Sequence, residues 1–428
     1  ELYKIAREVY RDNLVDLIET AQARHVPVMF STLVSNWRGQ KPFTSVFDTK
    51  TTPEQQIVWQ KLVVEGDSAI AQSKREEAVL SYTRAAQIDS MNATAFFKLG
   101  NALYSLARYD EAKQALIRAK DLDALRFRAT EEFENDLLTV CKQHAVPLAR
   151  VDSAFISASP HGILDDNLFL EHLHPNVNGY FLMAKTFCRA IELNNLLVQT
   201  SEWNHANEPP DSVLMDLSRV TEFDRTVGRV KIDLLRRRWP FETGPVNYEF
   251  KAATSVESVV FRMIKGGMAW SDARYLLAEF YAQNKQYDLA RKECLAIAKV
   301  IPFHYEPLLR YADYYSQEGK REEAMTEYQR CFETDENPFA RMKYAVLLLE
   351  DEQASAAAAQ VEIAFTVDER GRYKLPAQGA ATARYVLGVA YAKLGRVSQA
   401  KENLQRALAI EPGYQDAKDL LEQLNRQQ

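Results

Sequence analysis

ATAFFKLGNALYSLARYDEAKQALIRA, residues 93–119, is the stretch whose reading decides the fold. WQKLVVEGDSAIAQSKREEAVLSYTRA, residues 59–85, precedes it by 34 residues and has the same grammar. Gly66 and Gly100, Ala78 and Ala112, Tyr82 and Leu116, and Ala85 and Ala119 hold equivalent places. A period of this length is the mark of a stacked helix pair. Small residues stand where two helices cross closely, and bulky ones fill the space between neighbouring pairs.

The same pattern returns in the last third of the chain. Ala278, Tyr281, Ala290 and Pro302 define one unit, and Ala312, Tyr315, Ala324 and Tyr328 the next. A sparser unit follows with Ala345, Ala357 and Ala364, then an insertion from Asp368 to Gly379. Gly388, Tyr391, Ala400, Ala407 and Pro412 form a last unit, and Ala417, Leu420, Leu421 and Leu424 give the tail after Tyr414 one apolar face, as a capping helix requires. These units resemble the tetratricopeptide (TPR) repeat family over about half the chain. The resemblance implies an α-solenoid whose concave grooves take a protein or peptide partner. In one such groove type Lys and Asn grip a peptide carboxylate. Asn101 matches one member of that set, whereas the C-terminal units place Glu279 and Asp313 there. A spacer or packing role for the repeats is the alternative.

Composition narrows the function classes. The chain has 428 residues, 46% hydrophobic and 26% charged, with a formal net charge of −6. That balance argues against nucleic acid, which calls for a basic face. No apolar run reaches the ~18 residues of a membrane-spanning segment. Cys141, Cys188, Cys294 and Cys331 are scattered without a C-x-x-C pair, which argues against a disulfide framework or a zinc site. The run Arg229 to Arg238 reads as a solvated helix end, with an anionic partner as the alternative.

Outside the repeats the periodicity changes. Ile5, Val9, Leu14, Leu17, Ile18 and Ala21 recur at helical spacing, and Val26 to Val34 is a continuous apolar run, as expected of a parallel strand buried on both faces. After the first repeats, Phe133, Leu137, Leu138 and Cys141 mark a helix and Val146 to Asp152 a strand. A loop with Ser159-Pro160-His161-Gly162 follows. A helix from Pro175 to about Leu193 then presents Val177, Tyr180, Ala184, Phe187, Cys188 and Ile191. This order predicts an α/β domain, a partial doubly wound parallel sheet interrupted by an inserted repeat pair. Two strands are too few for such a sheet, so further strands are expected before Glu1 or from another chain.

Glu171-His172-Leu173-His174-Pro175 holds the candidate chemistry. Pro175 biases His174 away from helical geometry, at the mouth of a helix. Glu171, three residues back, is placed to bond the imidazole, fix its tautomer and stabilise its charged form. Three alternatives stand beside this reading: a capping and packing feature, a metal site on Glu171, His172 and His174, and a hydrolase domain that has lost its activity.

The block of an acid, two spacers and a histidine running into a proline resembles the SGNH or GDSL hydrolases. The Val26-to-Val34 strand and its preceding helix look like that family's middle, and Val146 to Phe155 like its last strand. The resemblance implies ester hydrolysis, of acyl-ester or deacetylase type, without a cofactor. It makes His174 the general base and Glu171 its orienting acid, where the family usually has Asp. The family's serine, and the Gly and Asn of its oxyanion hole, belong to earlier blocks, so the serine is expected upstream. Ser31, Ser35 and Ser159 do not match the strand-to-helix elbow. The resemblance also leans towards a bacterial cell-envelope or membrane-anchored setting.

The expected organisation is a hydrolase-like first segment over 1–50, inserted TPR repeats over 51–127, and a hydrolase-like last segment over 128–197. A connecting region over 198–268 then leads to a C-terminal TPR array over 269–428. The expected fold class is α/β plus all-α. The expected function is a TPR-bearing ester hydrolase, with a TPR interaction scaffold carrying a non-catalytic hydrolase domain as the alternative.

Overall fold

The computed structural model describes residues 2–242 and 250–426. The chain divides into two compact units, Glu1–Met215 with Gly228–Phe250, and Asp216–Val227 with Lys251–Gln428. Residues 243–249 of the expected connecting region, and the last two residues of the tail, lie outside the described residues.

In the first unit α1 (Leu2–Ala23) leads to β1 (Phe30–Ser31). Two helix hairpins follow, α2 (Pro53–Ala71) with α3 (Arg75–Ile88), and α4 (Ala93–Ser105) with α5 (Tyr109–Asp121). Thr52 starts α2 with a capping box, its side chain accepting from Gln55 N while the Gln55 side chain accepts from Thr52 N. The chain then returns through α6 (Glu131–Gln143), β2 (Leu148–Ala149), α7 (Val151–Ala158) and α8 (Val177–Leu193). The small residues sit where the period places them: Ala78, Ala85, Ala112 and Leu116 are fully buried. Gly100 is required by close approach, since a Cβ there would lie 2.6 Å from Leu116 Cγ. The inserted hairpins share one core with the rest of the unit, in which Ala112, Ala115 and Leu116 meet Trp37, Val151 and Phe155.

The sheet is far smaller than the sequence pattern suggests. β1 and β2 pair in parallel, Phe30 opposite Leu148 and Ser31 opposite Ala149, and among the described residues no other named strand joins them. The expected strands over Val26 to Val34 and Val146 to Asp152 shrink to two residues each. The fold is therefore predominantly helical, and among the described residues the strands form only this two-stranded pair, not the doubly wound sheet expected from sequence. A strand with a neighbour on one edge has half its ladder, and here the flanking residues are not covered: Val26 is 55% and Leu33 49% exposed. Val151 and Asp152 begin α7 instead of ending a strand.

Two helix faces also differ from expectation. On α1 only Leu14 and Ile18 of the expected stripe are buried, against α6 through Leu137, Val140 and Cys141, while Ile5, Val9 and Leu17 face solvent. On α8 the buried positions are Gly179, Ala190 and Glu192, and Tyr180, Ala184 and Cys188 are exposed. Pro175 lies one residue before the cap of α8, outside its first turn.

The chain continues through α9 (Asp211–Leu217), α10 (Glu222–Leu235) and α11 (Ser255–Ile264). The second unit's array comprises α12 (Trp270–Gln283) with α13 (Tyr287–Val300), α14 (Tyr305–Glu318) with α15 (Arg321–Thr334), α16 (Pro338–Glu350) with α17 (Ala354–Glu369), and α18 (Ala377–Lys393) with α19 (Val397–Ile410). α20 (Gln415–Arg426) closes it by burying Ala417 and Leu424, with Leu420 and Leu421 packed beside them. Ala278, Ala290, Ala312, Ala324, Ala345, Ala357, Ala364, Ala400 and Ala407 are all fully buried, as the period requires. Among the described residues no helix is long and apolar enough to cross a membrane.

One buried charge network stands at the head of this array. Arg274 on α12 is 2% exposed and lies between the rings of Phe223 and Trp270, 4.6 and 4.7 Å from their centroids. Its guanidinium donates to Glu293, itself buried, at 2.5 Å, to Thr221 Oγ1 at 3.2 Å, and to Asp224. Removing one partner of a buried pair strands the other charge in a poor solvent, which costs about 3–5 kcal/mol. Arg274→Met is therefore expected to lower the second unit's unfolding free energy by that amount in urea titration. Arg274→Met combined with Glu293→Leu recovers most of the loss.

Candidate active site

The segment from Leu168 to Asn176 is closed on itself by backbone bonds. Phe169 and Pro175 form an antiparallel bridge, Leu170 N donates to His174 O at 2.8 Å, and Asn176 N donates to Leu168 O at 2.9 Å. Asn176 then caps α8, its side chain accepting from Asn178 N at 3.0 Å and Gly179 N at 3.1 Å. A rigid helix start thus anchors the loop that carries the histidines.

The Glu171 carboxylate plugs this loop and is fully buried. Oε2 accepts from His172 N at 2.9 Å. Oε1 accepts from His174 N at 2.7 Å and Leu173 N at 3.3 Å, and lies 2.5 Å from His174 Nδ1. Backbone donors stabilise the ionised acid. A carboxylate at Nδ1 accepts a hydrogen bond from a ring N–H there, which assigns the free lone pair of the neutral ring to Nε2. The His174 side chain is 62% exposed, so the ring's far edge reaches solvent. The structure therefore brings Glu171 and His174 together.

His172 has a different environment. It is 9% exposed, with Nδ1 against Glu171 Oε2, and packs edge-on against Phe43 at 5.0 Å and Phe241 at 5.5 Å. Burial, and after it the neighbouring Arg128, His174 and Arg236 side chains, lowers its pKa to about 4. His172 is a neutral packing residue near pH 7. Among the described residues no group of three or more His, Cys, Asp or Glu side chains is placed to hold a metal ion.

Two supporting residues were not singled out from sequence. Asn36, fully buried, donates from its backbone N to His172 O at 3.0 Å, while its side chain donates to Asp166 at 2.7 Å and accepts from Gly39 N at 2.8 Å. Arg128, 3% exposed, donates to the carbonyls of Asn36 at 2.9 Å and Gln40 at 3.1 Å and pairs with Asp123. Both lie in irregular segments, so periodicity gave no sign of them. The serines considered from sequence are dispersed: Ser31 lies in β1, Ser35 in a cavity wall, and Ser159 at the end of α7 with its hydroxyl buried. In the repeats, the Asn101 side chain donates to Phe97 O in its own helix at 3.0 Å, and Asp313 accepts from Tyr328 at 2.6 Å.

The buried imidazole sets a pH dependence. The folded pKa of His172, about 4, lies below the ordinary value of 6.5, so the unfolded chain binds more protons between those values. Stability is fully present above about pH 6.5 and falls as pH drops towards 4. The first unit's unfolding midpoint, followed against pH, is expected to decline over that window in the wild type and to decline less in His172→Phe.

Comparison with known proteins bears on the repeats. Models described as tetratricopeptide or TPR repeats match residues 66–107, 93–124, 305–338 and 381–423. No curated protein matches the chain. Among solved structures, MamA from Desulfovibrio magneticus RS-1 is 20% identical over 37% of this chain and 84% of its own, with a TM-score of 0.31. A tetratricopeptide repeat protein from Parabacteroides merdae is 12% identical over 86% of this chain and 98% of its own, at 0.30. The first TPR of Spaghetti (RPAP3), solved bound to an HSP90 peptide, is 20% identical over 28% of this chain and 90% of its own, at 0.26. The family models fall on helix hairpins of both units and none on the Glu171–His174 loop: this chain carries tetratricopeptide repeats.

Proposed function

We propose that the chain is a TPR interaction scaffold that also holds the acid–histidine half of an ester-hydrolysing centre. The repeats support the first part. Their small-residue crossings stack helix hairpins into a solenoid with a concave face, a surface suited to an extended peptide or a partner helix. Glu279 and Asp313 in place of neutral or basic residues disfavour a carboxylate clamp in the C-terminal array.

One observation carries the hydrolytic part. Glu171, wholly buried, holds the Nδ1 edge of a ring that is otherwise 62% exposed. A ring needed only for packing gains nothing from exposure, while a general base requires an accessible Nε2. In the proposed step, His174 Nε2 takes the proton of a serine hydroxyl as its oxygen attacks the ester carbonyl. Glu171 stabilises the imidazolium so formed, and the same proton passes to the leaving alkoxide as the tetrahedral species collapses. The serine and the oxyanion donors come from residues other than this pair.

The test is hydrolysis of p-nitrophenyl acetate by the full-length protein that supplies the serine and by its His174→Ala variant. Loss of a positioned base is expected to lower the rate by ~10²–10⁴-fold. The exposed side chain predicts an unchanged unfolding midpoint for His174→Ala, measured in parallel. Equal rates in wild type and variant would reject the hydrolytic part and leave the scaffold.

A further inference from the structure

The first unit contains a cavity of about 340 Å³ at the carboxyl ends of β1 and β2, walled by Leu33, Trp37, Ile156 and Leu173 and closed by α5 through Ile117. Ligands of parallel-sheet proteins collect at that end of the strands. The volume is at the small end of the range for binding pockets, about 300–1,000 Å³. Most of the wall is apolar, and five charged side chains interrupt it.

Three of those five are already satisfied. Lys120 donates to Ala129 O and Glu131, at 2.8 and 2.9 Å, and also pairs with Asp121. Asp152 accepts from Arg150 and from Thr32 Oγ1, each at 2.7 Å. The remaining two are not. Lys113 lies 5.7 Å from the centroid of Trp37, and among the described residues it has no carboxylate partner within the 4.0 Å of an ion pair. Glu134 accepts at one oxygen from Leu33 N at 3.1 Å, its other oxygen has no partner, and burial raises its pKa. The cavity therefore offers one cation and one carboxylate, not paired with each other, on an otherwise apolar wall. A buried polar atom left short of a partner, as Glu134 Oε1 is, is costly, and a ligand that brings an ammonium to it removes that cost, while Lys113 offers an unpaired cation beside it.

We propose that this cavity binds a small zwitterion with an apolar side chain, of the free α-amino acid class. Its carboxylate pairs with Lys113, its ammonium with Glu134, and its side chain lies against Trp37, Ile156 and Leu173. A ligand seated there touches the inserted repeats through α5 and the histidine-bearing loop through Leu173. The proposal goes beyond the hydrolytic reading and does not rest on it.

The experiment is isothermal titration of the full chain with L-leucine, N-acetyl-L-leucine and L-leucinamide. L-leucine is expected to bind saturably, and the two analogues, each lacking one charge, about tenfold or more weaker. Lys113→Met and Glu134→Gln are each expected to weaken L-leucine by about the same factor. Circular dichroism and an unfolding midpoint establish that each variant is folded. Should Glu134→Gln fail to fold, Lys113→Met and the analogue series decide. No saturable binding of L-leucine, equal binding of all three compounds, or unchanged affinity in the folded variants would overturn the proposal.

Discussion

Close approach of helices at small residues is the constraint on which the structure depends. Each hairpin brings its two helices together where only Gly or Ala fits, as at Gly100 against Ala112 and Leu116, or Gly388 against Ala400 and Leu404. Such a crossing buries little area by itself. The bulky residues one turn away, among them Tyr82, Tyr328 and Leu404, then fill the seam, all 3% exposed or less. The hairpin thus supplies a flat, apolar flank that a neighbour must cover, and the array grows by repetition until a helix such as α20 closes it. In the first unit that neighbour is partly non-repeat chain. Ala112, Ala115 and Leu116 share a core with Trp37, Val151 and Phe155, so the segments before and after the insertion pack on the inserted hairpins.

That shared core explains how two short strands hold a precise loop. A two-residue parallel pair has little stability of its own. Here its ends are fixed from outside the ladder. Arg128, which precedes α6, gathers the carbonyls of Asn36 and Gln40, and Asn36 N bonds the carbonyl of His172. Arg128 is itself neutralised by buried Asp123. The loop carrying Glu171 and His174 is thus set against a polar network that begins where the inserted repeats end.

What was legible in the sequence followed the strength of the repeating signal. The hairpins were readable because a 34-residue period tests each position several times over, and positions from Ala78 to Ala407 are buried as it requires. Single helices were less readable. On α1 and α8 the apolar residues exceed what the neighbours cover, so hydrophobic spacing named a face without telling which part of it finds a partner. The strands were over-read for a related reason. A run such as Val26 to Val34 reports that residues are apolar, and a ladder also needs a neighbour; among the described residues this one ends with the bond from Thr32 N to Ala149 O. The Glu171–His174 pairing was local enough to read from spacing. Asn36 and Arg128, which act across gaps of more than 90 residues, were not.

The dyad and the hairpins make different demands on the chain, and that difference bears on function. A scaffold needs only surface, and the repeats provide it. The loop at Glu171 instead concentrates three backbone donors and the Nδ1 atoms of two imidazoles, His172 and His174, on a single carboxylate that water does not reach. Three backbone bonds would satisfy a structural acid. The added His174 ring is held at one edge and left open at the other, which orders an imidazole that packing does not use. His172, two residues earlier, shows what a packing histidine in the same loop looks like: enclosed by Phe43 and Phe241 and kept neutral by burial. The contrast between the two rings, one closed in and one offered to solvent on a fixed acid, supports the proposal that this loop serves chemistry as well as shape.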